Sequence, residues 1–265
     1  MKSLTALLWS IVWLGLLVFL AFTLWFGIVG LVYPYQLDYG EGIVLWFAQQ
    51  LAHAQPIYKG MTDLPYASSN YPPVALWLAA ALMPVLGDGY LGGRLLNFAS
   101  ALIVAALIFR IVRVETRERR AGALAALFFL GSPYIFHWIP LFRVDLIGLA
   151  FAFVGVYIVW NFERIESPVA LSPVDGLLAT GFFLLALYTK HSLVAAPLAA
   201  FLALWQRDRR RALVFAGALG SVGGALYLAL DYATRGGFTF GMIDSNATTF
   251  LPEQLAALVW NFVST

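Results

Sequence analysis

Asp38 and Glu41, in the segment Tyr-Gln-Leu-Asp-Tyr-Gly-Glu-Gly, are two carboxylates three residues apart that follow directly on a long apolar run. At that spacing they share one face of a helix, and two chemistries are open to them. In the first, Asp38 accepts backbone N–H bonds at the helix start and Glu41 reaches back to complete the cap. In the second, a carboxylate takes the proton of an acceptor hydroxyl, which is a poor nucleophile until a base within about 2.6–3.2 Å does so. A cap and a base can share one loop.

Arg143 and Asp145 stand immediately before another long apolar run. An acid there complements the helix dipole while the arginine snorkels, or the two face a ligand. Lys190 and His191 lie between two short apolar runs, where ionisable groups are costly unless paired, solvated or functional. An external anion would satisfy both. Arg94, in Gly-Gly-Arg-Leu-Leu-Asn, either reaches lipid headgroups or faces the same anion.

Other polar residues carry less. His53 and His137 are isolated, whereas metal sites need three or four converging ligands, so interfacial packing is their reading. Tyr71-Pro72-Pro73 forces an extended approach to the next helix and reads as architectural. Asn246-Ala-Thr248 matches the N-glycosylation acceptor pattern, which is short enough to arise by chance and matters only in a eukaryotic lumen. The chain has no cysteine, which excludes thiolate nucleophiles, disulfides and cysteine metal sites.

The elements that must position these residues are membrane helices. Of 265 residues, 62% are hydrophobic and 11% charged, and the mean hydropathy is +0.82. Soluble domains average about 45–50% apolar and about 25% charged residues. The net charge of +2 comes from short basic clusters between apolar runs, which orient a chain in the bilayer and do not imply nucleic acid. The uncharged run from Leu4 to Leu37 far exceeds the roughly 7–15-residue core of a cleavable signal and reads as an uncleaved anchor.

Hydropathy and length predict an all-α integral membrane protein with about seven transmembrane helices and external juxtamembrane helices. The spans fall roughly at 8–32, 89–110, 121–138, 146–162, 176–189, 192–205 and 212–231, within a single membrane-embedded unit covering 1–265. Lys2, the Arg110–Arg120 cluster and the Arg207–Arg211 cluster are assigned to the cytoplasm by the positive-inside rule. An even number of crossings must separate cytoplasmic sites. The run at 73–86 therefore cannot cross, and it reads as a juxtamembrane or re-entrant helix begun by Pro72 and Pro73. The first external loop is 33–88; 139–145, the turn at 189–192 and 232–265 are also external, with 163–174 inside.

Taken in order, several short motifs resemble the GT-C superfamily of membrane glycosyltransferases. They are Asp38 and Glu41 after the first span, Tyr71-Pro72-Pro73, Gly93-Arg94-Leu95-Leu96, Ser132-Pro133, Arg143-Val144-Asp145 and Thr189-Lys190. The branch resembled is that of protein O-mannosyltransferases and aminoarabinose transferases, which use polyprenyl-phosphate sugars. It implies transfer of a sugar, with inversion, from a lipid-phosphate donor to a hydroxyl acceptor on lipid, glycan or protein. Asp38 then corresponds to the catalytic base, with Glu41 next, and Asp145 matches the second-loop acid. Here the acids are spaced Asp38-Tyr-Gly-Glu41, where protein mannosyltransferases carry an adjacent Asp-Glu pair.

Cations around a departing phosphate stabilise its growing charge more than the ground state. Lys190 and Arg143 are the first candidates, then Arg94 and His191. Some family members use a divalent metal, but this branch generally does not, and no metal or other cofactor is expected. The implied location is the inner or plasma membrane, with a cytoplasmic N-terminus and an external or periplasmic site. The family's conserved seven-span module is followed in longer members by a variable region, so the chain is expected to be that module alone. The competing readings are a non-catalytic scaffold or transport subunit, or a truncated inactive fragment. A transport path would place charges near mid-span, whereas these acids fall at loop edges.

Overall fold

A computed structural model describes residues 2–60, 64–164, 173–247 and 251–264. Among these every regular element is helical. Four of the described helices are long and apolar enough to cross a membrane: Leu4–Val32, Leu91–Thr116, Asp145–Phe162 and Arg209–Ala233. They lie within α1 (Lys2–Val32), α4 (Leu91–Thr116), α7 (Asp145–Arg164) and α10 (Arg209–Ala233). These coincide with the predicted spans at 8–32, 89–110, 146–162 and 212–231. The large apolar side chains along α1, among them Leu7, Leu14 and Trp25, are exposed, as a lipid-facing helix requires.

The other three predicted spans take shorter forms. The run at 121–138 is not one helix: α5 (Arg119–Gly131) stops at Ser132, and α6 (Pro133–Phe136) is a single turn. Pro133 is the cause, because it drives the residue before it out of the helical region, and Ser132 is extended with ψ 131°. The runs at 176–189 and 192–205 become α8 (Pro173–Leu187) and α9 (Ala195–Arg207), of 15 and 13 residues. Both fall short of the roughly 17 residues that a helix needs to span the bilayer perpendicularly. Most of the predicted inner loop at 163–174 lies outside the described residues.

Helix α7 is the hub. It packs against α4 and α8 and also meets α9, while α1 flanks α4 and α5 at one edge. Small residues allow the close approaches, as is usual between membrane helices. A Cβ on Gly155 of α7 would lie 2.8 Å from the buried ring of Phe183 in α8.

One end of this bundle is closed by α2 (Glu41–Ala52), α3 (Val74–Leu86) and α11 (Gly237–Met242) around a core that includes Val44, Phe47, Leu76, Phe142 and Phe238. Helix α3 begins after Pro72 and Pro73, with Pro73 as its N-cap, at the predicted position. The Val74 amide donates to the Tyr188 carbonyl at 3.0 Å, which ties the start of α3 to the turn between α8 and α9. The last helix, α12 (Pro252–Ser264), is exposed along its length.

Candidate active site

Three loops meet at the closed end: the segment 33–40 after α1, the segment 137–144 before α7, and the turn 188–194 between α8 and α9. What joins them is a series of ion pairs between residues remote in sequence.

The first joint is fully buried. Arg94 and Glu41 are both 0% exposed, and two guanidinium nitrogens grip the carboxylate, Nε to Oε1 at 3.0 Å and Nη2 to Oε2 at 2.8 Å. The remaining N–H groups of Arg94 donate to the carbonyls of Gly30, Tyr33 and Tyr35 at 2.8, 2.6 and 2.7 Å. Glu41 also accepts the amides of Leu37 and Phe142, each at 2.6 Å. A guanidinium has five donors and a carboxylate about four acceptor sites, so both groups are used up. Burial pushes the Glu41 carboxyl up, but the bonds from Arg94, Leu37 and Phe142 outweigh this and hold it below the ordinary glutamate value.

Local chain chemistry makes this joint possible. Arg94 lies in the first turn of α4 behind Gly92 and Gly93, and a Cβ on Gly93 would sit 2.1 Å from the Phe142 ring. The glycine lets segment 137–144 lie against α4, and Phe142 then turns its amide toward Glu41. Neither Glu41 nor Arg94 presents an atom to a ligand. The snorkelling predicted for Arg94 does not occur, because the carbonyls left where α1 ends need donors and Arg94 supplies them.

The second joint is half-open. Arg143 Nη1 donates to Asp38 Oδ2 at 3.1 Å, with the side chains 12% and 22% exposed. Asp38 also accepts the Gly40 amide at 3.1 Å and so ties its own turn, but it does not cap the helix as the capping reading has it: the N-cap of α2 is Gly40, with no side-chain cap bond, and the Leu37 amide is taken by Glu41. Arg143 lies over the Trp138 ring at 5.0 Å and makes a long 3.5 Å contact from Nη2 to the Tyr71 hydroxyl. Its Nε is buried without a hydrogen-bond partner among the described residues.

Two residues further on, Asp145 opens α7 and pairs with Lys190. These side chains are 27% and 33% exposed. Lys190 is held by its own amide, which donates to Ala186 at 2.8 Å, and its neighbour Thr189 is buried beside Gly148 of α7. Asp145 and Gly148 are three apart on one helical face, which is why the turn that packs on Gly148 brings Lys190 to Asp145. Arg143-Val144-Asp145 therefore links both open pairs into one row. The exposed His191 stands outside the row and borders a cleft of 440 Å³ shared with Tyr188 and Tyr227.

Tyr71, read from sequence as architectural, is drawn into the site. Its carbonyl accepts the Tyr58 hydroxyl at 2.8 Å and the Ser69 hydroxyl at 3.0 Å, which fixes the side chain beside Arg143. Burial raises the Tyr58 phenol far above its ordinary value, so it remains a donor. Trp138 was also missed. No periodicity marks either residue, since both act from irregular loops. Among the described residues no group of three or more His, Asp or Glu converges in the manner of metal ligands.

An all-helical, multi-pass membrane protein with acids and bases gathered at one end of its bundle is the class that these features define. The family profile described as dolichyl-phosphate-mannose-protein mannosyltransferase matches residues 70–231, well over half of the chain. The chain belongs to that family, and is thus a membrane glycosyltransferase of the GT-C type that draws on a lipid-linked sugar donor. The matched segment includes Tyr71, Arg94, Arg143, Asp145 and Lys190 and begins after Asp38 and Glu41. No curated protein and no solved structure matches the chain.

Proposed function

We propose that the protein transfers a sugar from a polyprenyl-phosphate donor to a hydroxyl acceptor, with inversion, at the row Asp38–Arg143–Asp145–Lys190. The observation that carries this reading is the contrast in saturation. Arg143 and Lys190 are part-exposed cations whose present partners are carboxylates, and Arg143 retains an unused buried N–H.

Asp38 takes the acceptor's proton, and the freed oxygen attacks the anomeric carbon on the face opposite the lipid phosphate. The bond from that carbon to the phosphate oxygen breaks as the new glycosidic bond forms. The transition state has oxocarbenium character, as in glycoside hydrolysis, and a single displacement inverts the centre. The polyprenyl phosphate leaves with added negative charge, which Arg143 and Lys190 neutralise. Asp145 holds Lys190 in place and shares it with the incoming phosphate. Glu41 and Arg94 act as positioning residues that hold segments 30–37 and 137–144 around the row. His191, at the rim of its cleft, meets the donor farther from the phosphate. No step here calls for a metal.

In this reading α5, α8 and α9 complete a seven-crossing arrangement, with the bilayer thinning locally around these short helices and flanking residues reaching to the interface. The basic clusters face the cytoplasm, the row faces the external or periplasmic side of the inner or plasma membrane, and the acceptor is a lipid, glycan or protein hydroxyl. The experiment is reconstitution of the chain in liposomes with radiolabelled polyprenyl-phosphate sugars, following donor consumption. Wild type should consume one donor, and Asp38→Asn should abolish this at unchanged protein level. Consumption that persists in Asp38→Asn would remove Asp38 from the mechanism, and a wild type inert to every donor would defeat the proposal.

A further inference from the structure

At the other end of α1, roughly 30 Å from Asp38 by helical rise, lies a second site that the transferase reading does not use. The N-terminal half of α1 and the start of α5 stand apart around a cavity of 900 Å³. Ser10, Glu118 and Arg120 supply its polar lining, and Leu14, Leu17 and Leu124 its apolar lining. Trp9 and Trp13 form the remaining wall, and an indole pairs an apolar face with an N–H donor.

The surrounding charge is lopsided. Arg113, Arg117, Arg119 and Arg120 are exposed around the turn between α4 and α5, against two glutamates, and Glu115 already accepts the Trp160 indole N–H at 2.7 Å. Arg117 turns the chain in the left-handed conformation at φ 59°, so that α5 begins two residues later and Arg120 borders the cavity. The other arginine cluster is built differently. There Asp208 caps α10 and pairs with Arg211 at 3.0 Å, while Arg209 lies over Trp205.

From this we infer that the α1–α5 cavity binds an anionic phospholipid, with the phosphodiester at Arg120 and the upper acyl chain against Leu14, Leu17 and Leu124. A soluble phosphate ester has no use for the apolar lining. Of this lining, Leu14 and Leu17 are exposed at 65% and 51%, so the cavity opens onto acyl chains. A zwitterionic lipid would leave the arginine excess unneutralised, and basic pockets between membrane helices suit anionic headgroups.

Native mass spectrometry of the full chain from detergent, titrated with phosphatidylglycerol, phosphatidylcholine or soluble glycerol 3-phosphate, tests this. Phosphatidylglycerol should be retained about tenfold better than phosphatidylcholine, and Arg120→Gln should weaken it about fivefold, as expected for one basic residue at an anionic headgroup. Arg120→Lys should keep most of the binding, since a point charge suffices, and Arg210→Gln in the other cluster should leave it unchanged. Arg120 is exposed, so its variants should unfold at the wild-type temperature. Equal retention of the two lipids, or indifference to Arg120→Gln, overturns the inference. Competition by glycerol 3-phosphate as strong as by the lipid also overturns it, by marking a site for a free phosphate ester.

Discussion

Two arginine–carboxylate pairs lie within one loop cluster and do opposite things. Arg94–Glu41 is wholly buried, with every donor and acceptor used, whereas Arg143–Asp38 is part-exposed with guanidinium capacity to spare. Saturation separates a joint from a site. A saturated buried pair cannot change partners without leaving a charge stranded, so it holds loops together. An undersaturated, part-exposed pair can trade its carboxylate for another anion, because solvent reaches it.

The sharpest way to break the contrast is to remove one partner from each pair. Arg94→Leu strands the Glu41 carboxylate and should cost about 3–5 kcal/mol, read as loss of folded protein in a thermal-unfolding assay in detergent. Asp38→Asn should leave that unfolding temperature nearly unchanged while lowering donor turnover about 10²–10⁴-fold. If both variants unfold alike, the two pairs are equivalent joints.

Smaller changes sharpen it. Gly93→Ala should destabilise by about 1–3 kcal/mol, because its Cβ meets the fully buried Phe142 ring at 2.1 Å and overpacks the joint. Gly40→Ala should spare the fold and reduce turnover roughly tenfold, since the new methyl would meet the Arg143 guanidinium, which is free to shift away from Asp38. The mildest effect is on pH dependence. Glu41 has a depressed folded value, so its stabilisation is present above the ordinary glutamate value and lost as pH falls through the folded one. Thermal unfolding followed from neutral pH downward should therefore be flat at first and fall only on the acid side of that ordinary value.

Much of this was legible along the chain. Four long apolar runs became four membrane-length helices, the proline pair opened α3, and the acids Asp38, Glu41 and Asp145 fell at loop edges. Other features were not legible. The 121–138 run averaged as apolar across Ser132, although Pro133 divides it, because hydropathy sums composition and ignores backbone geometry. Tyr71 and Trp138 carry no pattern, since only the folding of irregular loops brings them to Arg143.

The sequence by itself determined that the chain lives in lipid, because transfer free energy adds up locally over each run of about 20 residues. It also determined which ionisable residues needed an explanation, because each such group beside apolar helices carries a desolvation cost. Tertiary structure alone decided which of them are saturated and buried and which keep exposure and capacity to spare. The partners stand 53 residues apart in Arg94–Glu41, 105 in Arg143–Asp38 and 45 in Lys190–Asp145. No local rule reaches that far; saturation is counted only when distant donors and acceptors share one buried space.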